Sequence, residues 1–115
     1  MTSTLDQQLN QAILEGKSGE AFEQFYADDV VMQENSEPPC HGKAANAKRG
    51  DEWVASIETF HGGKLLGSAV NGDRTYSEWE FDVTFKNGPR VKLCETAVRQ
   101  WNNGKVQQER FYYTK

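Results

Sequence analysis

Apolar positions near the start of the chain recur at helical spacing. Leu5, Leu9, Ala12 and Ile13 share one face, and the run stops at Gly16, a residue suited to the left-handed turn that closes a helix. Ser18 can cap a second helix with Ala21, Phe22, Phe25 and Tyr26 turned inward. Asp28 and Asp29 mark the exit into a strand, whose period of two puts Val30, Met32 and Glu34 on one side. After the Pro38-Pro39 break, Lys43 to about Phe60 predicts a third helix with Trp53, Ile57 and Phe60 on a common face and Gly50 as a weak point. From Gly63 onward the pattern is that of strands, punctuated by Asn71-Gly72, Asn87-Gly88 and Asn103-Gly104, each a strong hairpin signal. Three successive hairpins form a four-stranded meander. With the early strand they predict an α+β fold: a curved, mostly antiparallel sheet wrapped as a cone around three helices. No repeat, low-complexity tract or linker interrupts the chain, so residues 1–115 read as one domain.

Turn arithmetic carries the pattern further. If Asn87-Gly88 is a two-residue loop, Phe85 faces Arg90 and Trp79 faces Thr96; if Asn103-Gly104 is another, Val98 faces Glu109 and Cys94 faces Tyr113. One sheet face then gathers Trp79, Phe81, Val83, Phe85, Cys94, Thr96, Val98, Phe111 and Tyr113, and packs on the helices. The other gathers Glu78, Glu80, Asp82, Glu95, Arg99, Gln108 and Arg110, with Leu93, Trp101, Val106 and Tyr112 among them. Such a mixture of aromatics and paired charges suits an isologous interface, and a homodimer through this outer face is expected.

Composition narrows the function classes. The 115 residues are 37% hydrophobic, enough for a small core, and 13 basic against 17 acidic side chains give a net charge of −4. Acids and bases are interspersed and leave no basic face to follow a phosphate backbone, so nucleic acid is excluded as a partner. The N-terminal stretch lacks a basic region followed by an apolar one, and no apolar run is long enough for a bilayer, which predicts a cytoplasmic protein without a membrane partner. Cys40 and Cys94 fit two reduced thiols in that compartment. His41 and His61 match no metal-ligand spacing, and no phosphate-loop pattern surrounds the glycines, so neither metal nor cofactor is expected.

Two acids fall on the inner side of the predicted sheet. Glu34 follows Val30 and Met32 by the strand period, and Glu109 is the lone acid on the apolar face of the last hairpin. Carboxylates facing one partly apolar cavity raise at least one pKa into a range useful for proton transfer, which makes Glu34 and Glu109 the candidate catalytic pair. Tyr26, Met32, Trp53, Trp79, Phe81, Val98, Phe111 and Tyr113 are the candidate pocket lining.

The segment Tyr26-Ala27-Asp28-Asp29 leading to Glu34, and the closing run Glu109-Arg110-Phe111-Tyr112-Tyr113, resemble the nuclear transport factor 2-like superfamily, in its ketosteroid-isomerase-like and SnoaL-like branch. The resemblance covers nearly the whole chain and implies a cystatin-like cone with an internal pocket for a small hydrophobic molecule. In the isomerases the carboxylate reached from the tyrosine segment is the general base, a role that falls on Glu34 here. Their two oxyanion donors correspond to Asn10 and Ala97, so steroid isomerisation by that route is not implied. The acid that SnoaL-like cyclases carry near the end of the last strand is also missing from Tyr112-Tyr113-Thr114. The likeness is strongest to small stand-alone SnoaL-like proteins. It leaves two classes open: an isomerase, cyclase or dehydratase acting on a hydrophobic carbonyl compound, with Glu34 as base and Glu109 as partner acid, and a non-catalytic ligand-binding or assembly module.

Overall fold

The computed structural model describes residues 2–114. Its elements run α1 (Thr2–Leu14), α2 (Ser18–Phe25), β1 (Tyr26–Glu34), β2 (Cys40–His41), α3 (Lys43–Ala55), β3 (Ile57–Asn71), β4 (Arg74–Phe85), β5 (Arg90–Asn102) and β6 (Lys105–Tyr113). The six strands form one open, curved sheet in the order β2-β1-β6-β5-β4-β3. Every neighbouring pair is antiparallel except β1 and β6. The meander and the early strand are thus as the hairpin signals predict.

Local chemistry explains most boundaries. Gly16 takes φ +78° while Gly16 and Lys17 donate their amides back to the carbonyls of Ile13 and Ala12, so α1 ends where a glycine permits the left-handed turn. Ser18 is already helical; Lys17 holds the cap position and supplies no side-chain hydrogen bond. Helix α3 stops at Ala55, earlier than the helical spacing of Trp53, Ile57 and Phe60 suggests, and Ile57 and Phe60 belong to β3. The run Ile57 to Phe60 includes β-branched Ile57 and Thr59 and pairs with Val83, Thr84 and Phe85, and tertiary pairing overrides the helical period there. Gly50 stays within an unbroken helix.

The core lies where α1 and α2 cover β1, β5 and β6. Leu9, Ala21, Phe25, Tyr26, Val30, Trp101 and Val106 are buried together, with Leu5, Ala12, Ile13, Phe22 and Met32 packed around them. Trp101 and Val106 therefore point inward, contrary to their expected place on the outer face.

The register differs from the turn arithmetic in an instructive way. Asn103 and Gly104 have φ of +52° and +78°, and Asn102 pairs with Lys105, so this is a true two-residue loop. Two pairs later Gln107 bulges and shifts the register by one, placing Arg99 rather than Val98 opposite Glu109. At Asn87-Gly88 the loop spans residues 86–89, with Gly88 bonded to the Phe85 carbonyl, and Arg90 pairs with Thr84 instead of Phe85. The two slips cancel across β5. Trp79, Phe81, Val83, Phe111 and Tyr113 keep their predicted inner face, whereas β5 is turned over: Leu93, Glu95, Ala97 and Arg99 face inward, and Cys94, Thr96 and Val98 face outward. Val98 consequently leaves the candidate lining, and Cys94 is exposed.

Candidate functional site

The turned-over strand fills the inner face with charge, divided between two ends of the sheet. At the closed end, beneath α1, the Arg99 guanidinium is 2% exposed. Its Nε donates to Glu109 Oε2 at 2.7 Å, and its Nη1 donates to Asp6 Oδ1 at 2.8 Å and to Asn10 Oδ1 at 2.6 Å. The other Glu109 oxygen accepts from the Tyr26 hydroxyl at 2.5 Å. Asp6 also accepts from Thr75 at 2.7 Å, and Thr75 accepts from the Trp101 indole at 3.0 Å. Burial alone would push Arg99 down; the charges of Glu109, Tyr26 and Asp6 more than offset it and hold the guanidinium above its ordinary value. Burial, then the charge of Glu109, pushes the Tyr26 phenol well up.

At the open end β1 and β6 finish and β1 lies beside α3. Asn35, at φ +50°, ends β1: its amide bonds to the Phe111 carbonyl, its carbonyl accepts from Arg110, and its side chain accepts from the Tyr113 amide at 3.0 Å. These bonds lock the residue after Glu34 onto the tip of β6. Glu34 Oε1 accepts from the Tyr113 hydroxyl at 2.7 Å, and Oε2 is paired with Arg49 of α3. Tyr113 is pushed up to about 12, by burial first and then by its hydrogen bond to Glu34. Directly across the sheet from Tyr113 stands Glu95, which in turn faces Trp79 on β4.

Glu95 makes no hydrogen bond and no ion pair among the described residues. Burial raises its carboxyl to about 7, the charges of Glu109 and Glu34 adding to the effect while Arg99 opposes it. The apolar wall continues from Trp79, stacked on Phe81 at 5.6 Å between ring centroids, to Phe60 at 6.1 Å from Phe81. Gly63 makes room for it, since a Cβ there would meet the Phe81 ring at 2.9 Å. Phe60 is 53% exposed and Trp53, one helical turn beyond Arg49, is 42% exposed, so large aromatic surface remains uncovered at this end.

The structure therefore brings Glu34, Tyr113, Trp79 and Phe81 into one region and places Tyr26 and Glu109 in the other. Met32 pairs with Glu109 and packs on the core, and Phe111, opposite Glu34 and Ala97, separates the two ends. Two members of the open end were missed from sequence. Glu95 shares its parity with Val91, Leu93, Ala97 and Trp101, an apolar set that signalled the inner face; Arg49 has no local signal beyond its spacing from Trp53. A surface depression of about 500 Å³ lies elsewhere, around Thr2, Leu5, Asp73, Trp101 and the Asn103-Gly104 turn. It adjoins none of the open-end carboxyls. No helix among the described residues is long and apolar enough to cross a membrane.

Comparison with solved structures places this arrangement in a family. A provisionally named SnoaL-like polyketide cyclase, also called a carbohydrate phosphatase, from Mesorhizobium loti is 33% identical over 98% of this chain and 99% of its own, with a TM-score of 0.91. A provisionally named polyketide cyclase from Xanthomonas campestris pv. campestris shares the fold at 21% identity, covering 98% and 90% of the two chains, with a TM-score of 0.81. A protein with a ketosteroid isomerase-like fold from Catenulispora acidiphila, solved with trimethylamine, shares it at 15% identity over 90% and 80%, with a TM-score of 0.76. No curated protein matches the chain. Its likeness to SnoaL-like and polyketide-cyclase-like proteins supports a small-molecule-binding role. Residues 2–113 match the SnoaL-like domain, and the chain belongs to that family.

Proposed function

We propose that the open end of the inner sheet face binds a hydrophobic carbonyl compound and moves a proton on it, as an isomerase, cyclase or dehydratase would. Glu34 is the base. Glu95 takes the part of partner acid that the sequence reading gave to Glu109, because Glu109 is sealed at the closed end, 2% exposed, with both oxygens committed to Arg99 and Tyr26, whereas Glu34 is 34% exposed. In this reading the substrate's α-proton passes to the Glu34 carboxylate, and the protonated Glu95 carboxyl donates to the carbonyl oxygen where negative charge develops. Tyr113 stands between them and holds Glu34 in place.

The observation that carries the reading is the carboxyl of Glu95, without a partner among the described residues and raised to about 7 on an aromatic face within reach of the charge of Glu34. A carboxyl so placed is present in both protonation states near neutrality. The alternative, a binding module without turnover, is favoured by the engagement of Glu34 with Arg49 and Tyr113, which lowers its availability as a base. The test is α-hydrogen exchange of 2-tetralone and 1-indanone in deuterated buffer, followed by NMR. Exchange faster than in buffer, abolished by Glu34→Gln and displaced along the pH axis by Glu95→Gln, supports proton transfer; exchange no faster than in buffer assigns the face to binding alone. We further propose, as parts of the same reading, a cytoplasmic location and a homodimer through the outer face that carries Glu78, Glu80, Arg110 and Tyr112. Sedimentation showing only monomer at micromolar concentration would end the dimer proposal.

A further inference from the structure

Arg49 and Arg99 are built alike to different degrees of completion. Arg99 stands between two carboxylates, Asp6 and Glu109, with Asn10 as a third acceptor, and uses both Nε and Nη1. Arg49 meets one carboxylate, Glu34, through Nη2 alone; its Nε and Nη1 make no hydrogen bond among the described residues. A guanidinium presents five donors in a planar fork that matches a carboxylate edge to edge, so one side of the Arg49 fork stands unspent. The Arg49 side chain is 38% exposed and that of Glu34 is 34% exposed, so a molecule from solvent reaches both. Trp53, one turn along α3, supplies apolar surface next to the open edge.

We propose that Arg49 is a specificity-determining residue: the ligand of the open end carries a carboxylate on an apolar, ring-containing body, and that carboxylate takes the free edge of the Arg49 guanidinium. The inference rests on the small-molecule reading above and narrows it, from a hydrophobic carbonyl compound to a hydrophobic keto acid or related apolar carboxylate. Within this chain Arg99 shows the completed form, one guanidinium shared by two carboxylates. At the open end the ligand supplies the second carboxylate. Its apolar body then lies toward Trp53, Phe60 and Phe81, where aromatic surface waits uncovered or half-covered. A charge-assisted contact to a partly desolvated guanidinium adds affinity and fixes orientation, because the planar fork accepts only one approach. The engagement of Arg49 with a second anion also loosens its hold on Glu34.

The probes are 2-naphthoate and its neutral isostere 2-naphthamide, titrated into the full chain at pH 6 and followed by backbone amide NMR, which reports both affinity and place. The expected result is perturbation around Glu34, Arg49, Trp53 and Tyr113, with naphthoate about tenfold tighter than the amide. Arg49→Gln should remove that preference and leave amide affinity unchanged; Arg49→Lys, a charge without a fork, should keep only part of it. Lys48→Gln, which removes the same charge from the neighbouring exposed position, should change nothing. Equal binding of the two probes, or a preference that survives Arg49→Gln, overturns the carboxylate proposal and leaves the small-molecule reading standing. Failure of both probes to perturb any inner-face amide overturns the two together.

Discussion

The two ends of the inner sheet face hold the same chemical ingredients, an arginine, carboxylates and a tyrosine, and use them for opposite purposes. At the closed end every carboxylate oxygen is spent. Arg99, Glu109, Asp6, Asn10, Tyr26 and Thr75 satisfy one another beneath α1, and no oxygen of Glu109 is left without a donor. At the open end Arg49 keeps an unused edge and Glu95 has no partner among the described residues, and aromatic rings lie bare. A buried ionic network that is complete specifies a structure, and one that is incomplete costs stability unless something else completes it. The contrast identifies the end where a ligand belongs. An acid is a candidate for chemistry when a molecule from solvent reaches it, and inward position alone does not qualify it.

The comparison is broken most sharply by removing one member of the closed network. Arg99→Met deletes the cation and leaves the carboxylates of Asp6 and Glu109 buried and unpaired, for an expected loss of about 3–5 kcal/mol in the free energy of unfolding. Urea or thermal denaturation measures it. A loss below about 1 kcal/mol would mean that the closed end opens to water and that the division into two ends is mistaken.

How much of this was legible in the sequence follows from the physics of β5. Helix α1, the early strand and the meander were readable because Leu5, Leu9 and Gly16, and then three Asn-Gly pairs, are strong local signals. The faces of β4 and β6 were also readable. That of β5 was not, because turn arithmetic propagates through a hairpin only while no residue bulges, and Gln107 bulges while residues 86–89 form a longer loop. The apolar parity of Val91, Leu93, Ala97 and Trp101 pointed the right way, and two inward charges, Glu95 and Arg99, obscured it. Each is tolerated for a nonlocal reason: Arg99 by Asp6, 93 positions away in sequence, and Glu95 by partial exposure at the open end. The Arg49–Glu34 pair was invisible for the same reason, since it joins α3 to β1 across the loop that holds Pro38 and Pro39. Glu109 was recognised as inward from sequence, but its partner, which decides what it does, was not.

A second pair of substitutions separates the ends by sign. Glu109→Gln keeps shape and removes half of the charge that balances Arg99, with an expected loss of about 2 kcal/mol at neutral pH. Glu95→Gln should act in the other direction. The Glu95 carboxyl sits at about 7 in the folded protein against an unfolded value of about 4.3, so folding favours its protonated form. Its contribution is present in full below about pH 4 and is lost as pH rises through about 7; above that the native state carries a partly buried charge. Glutamine removes the charge, so the variant should equal wild type near pH 4 and exceed it by roughly 1–3 kcal/mol at pH 8. Denaturation at the two pH values checks both, and a destabilising Glu95→Gln at pH 8 would show that the carboxylate has a partner after all.

The smallest effect expected is the most informative about function. Arg49 and Glu34 form an ion pair as Arg99 and Glu109 do, but with both side chains more than a third exposed it gains little over hydration, and Arg49→Gln should change stability by no more than about 1 kcal/mol. Raising salt from 0.05 to 0.5 M should erase even that, since screening acts on an exposed pair and hardly on a buried one. The two arginines thus differ severalfold in what they contribute to the fold. If Arg49→Gln cost as much as Arg99→Met, Arg49 would be a structural clamp fastening α3 to β1, and its free edge would have no ligand to explain. A stability near that of wild type, together with loss of the carboxylate preference, is the combination that only a recognition role produces.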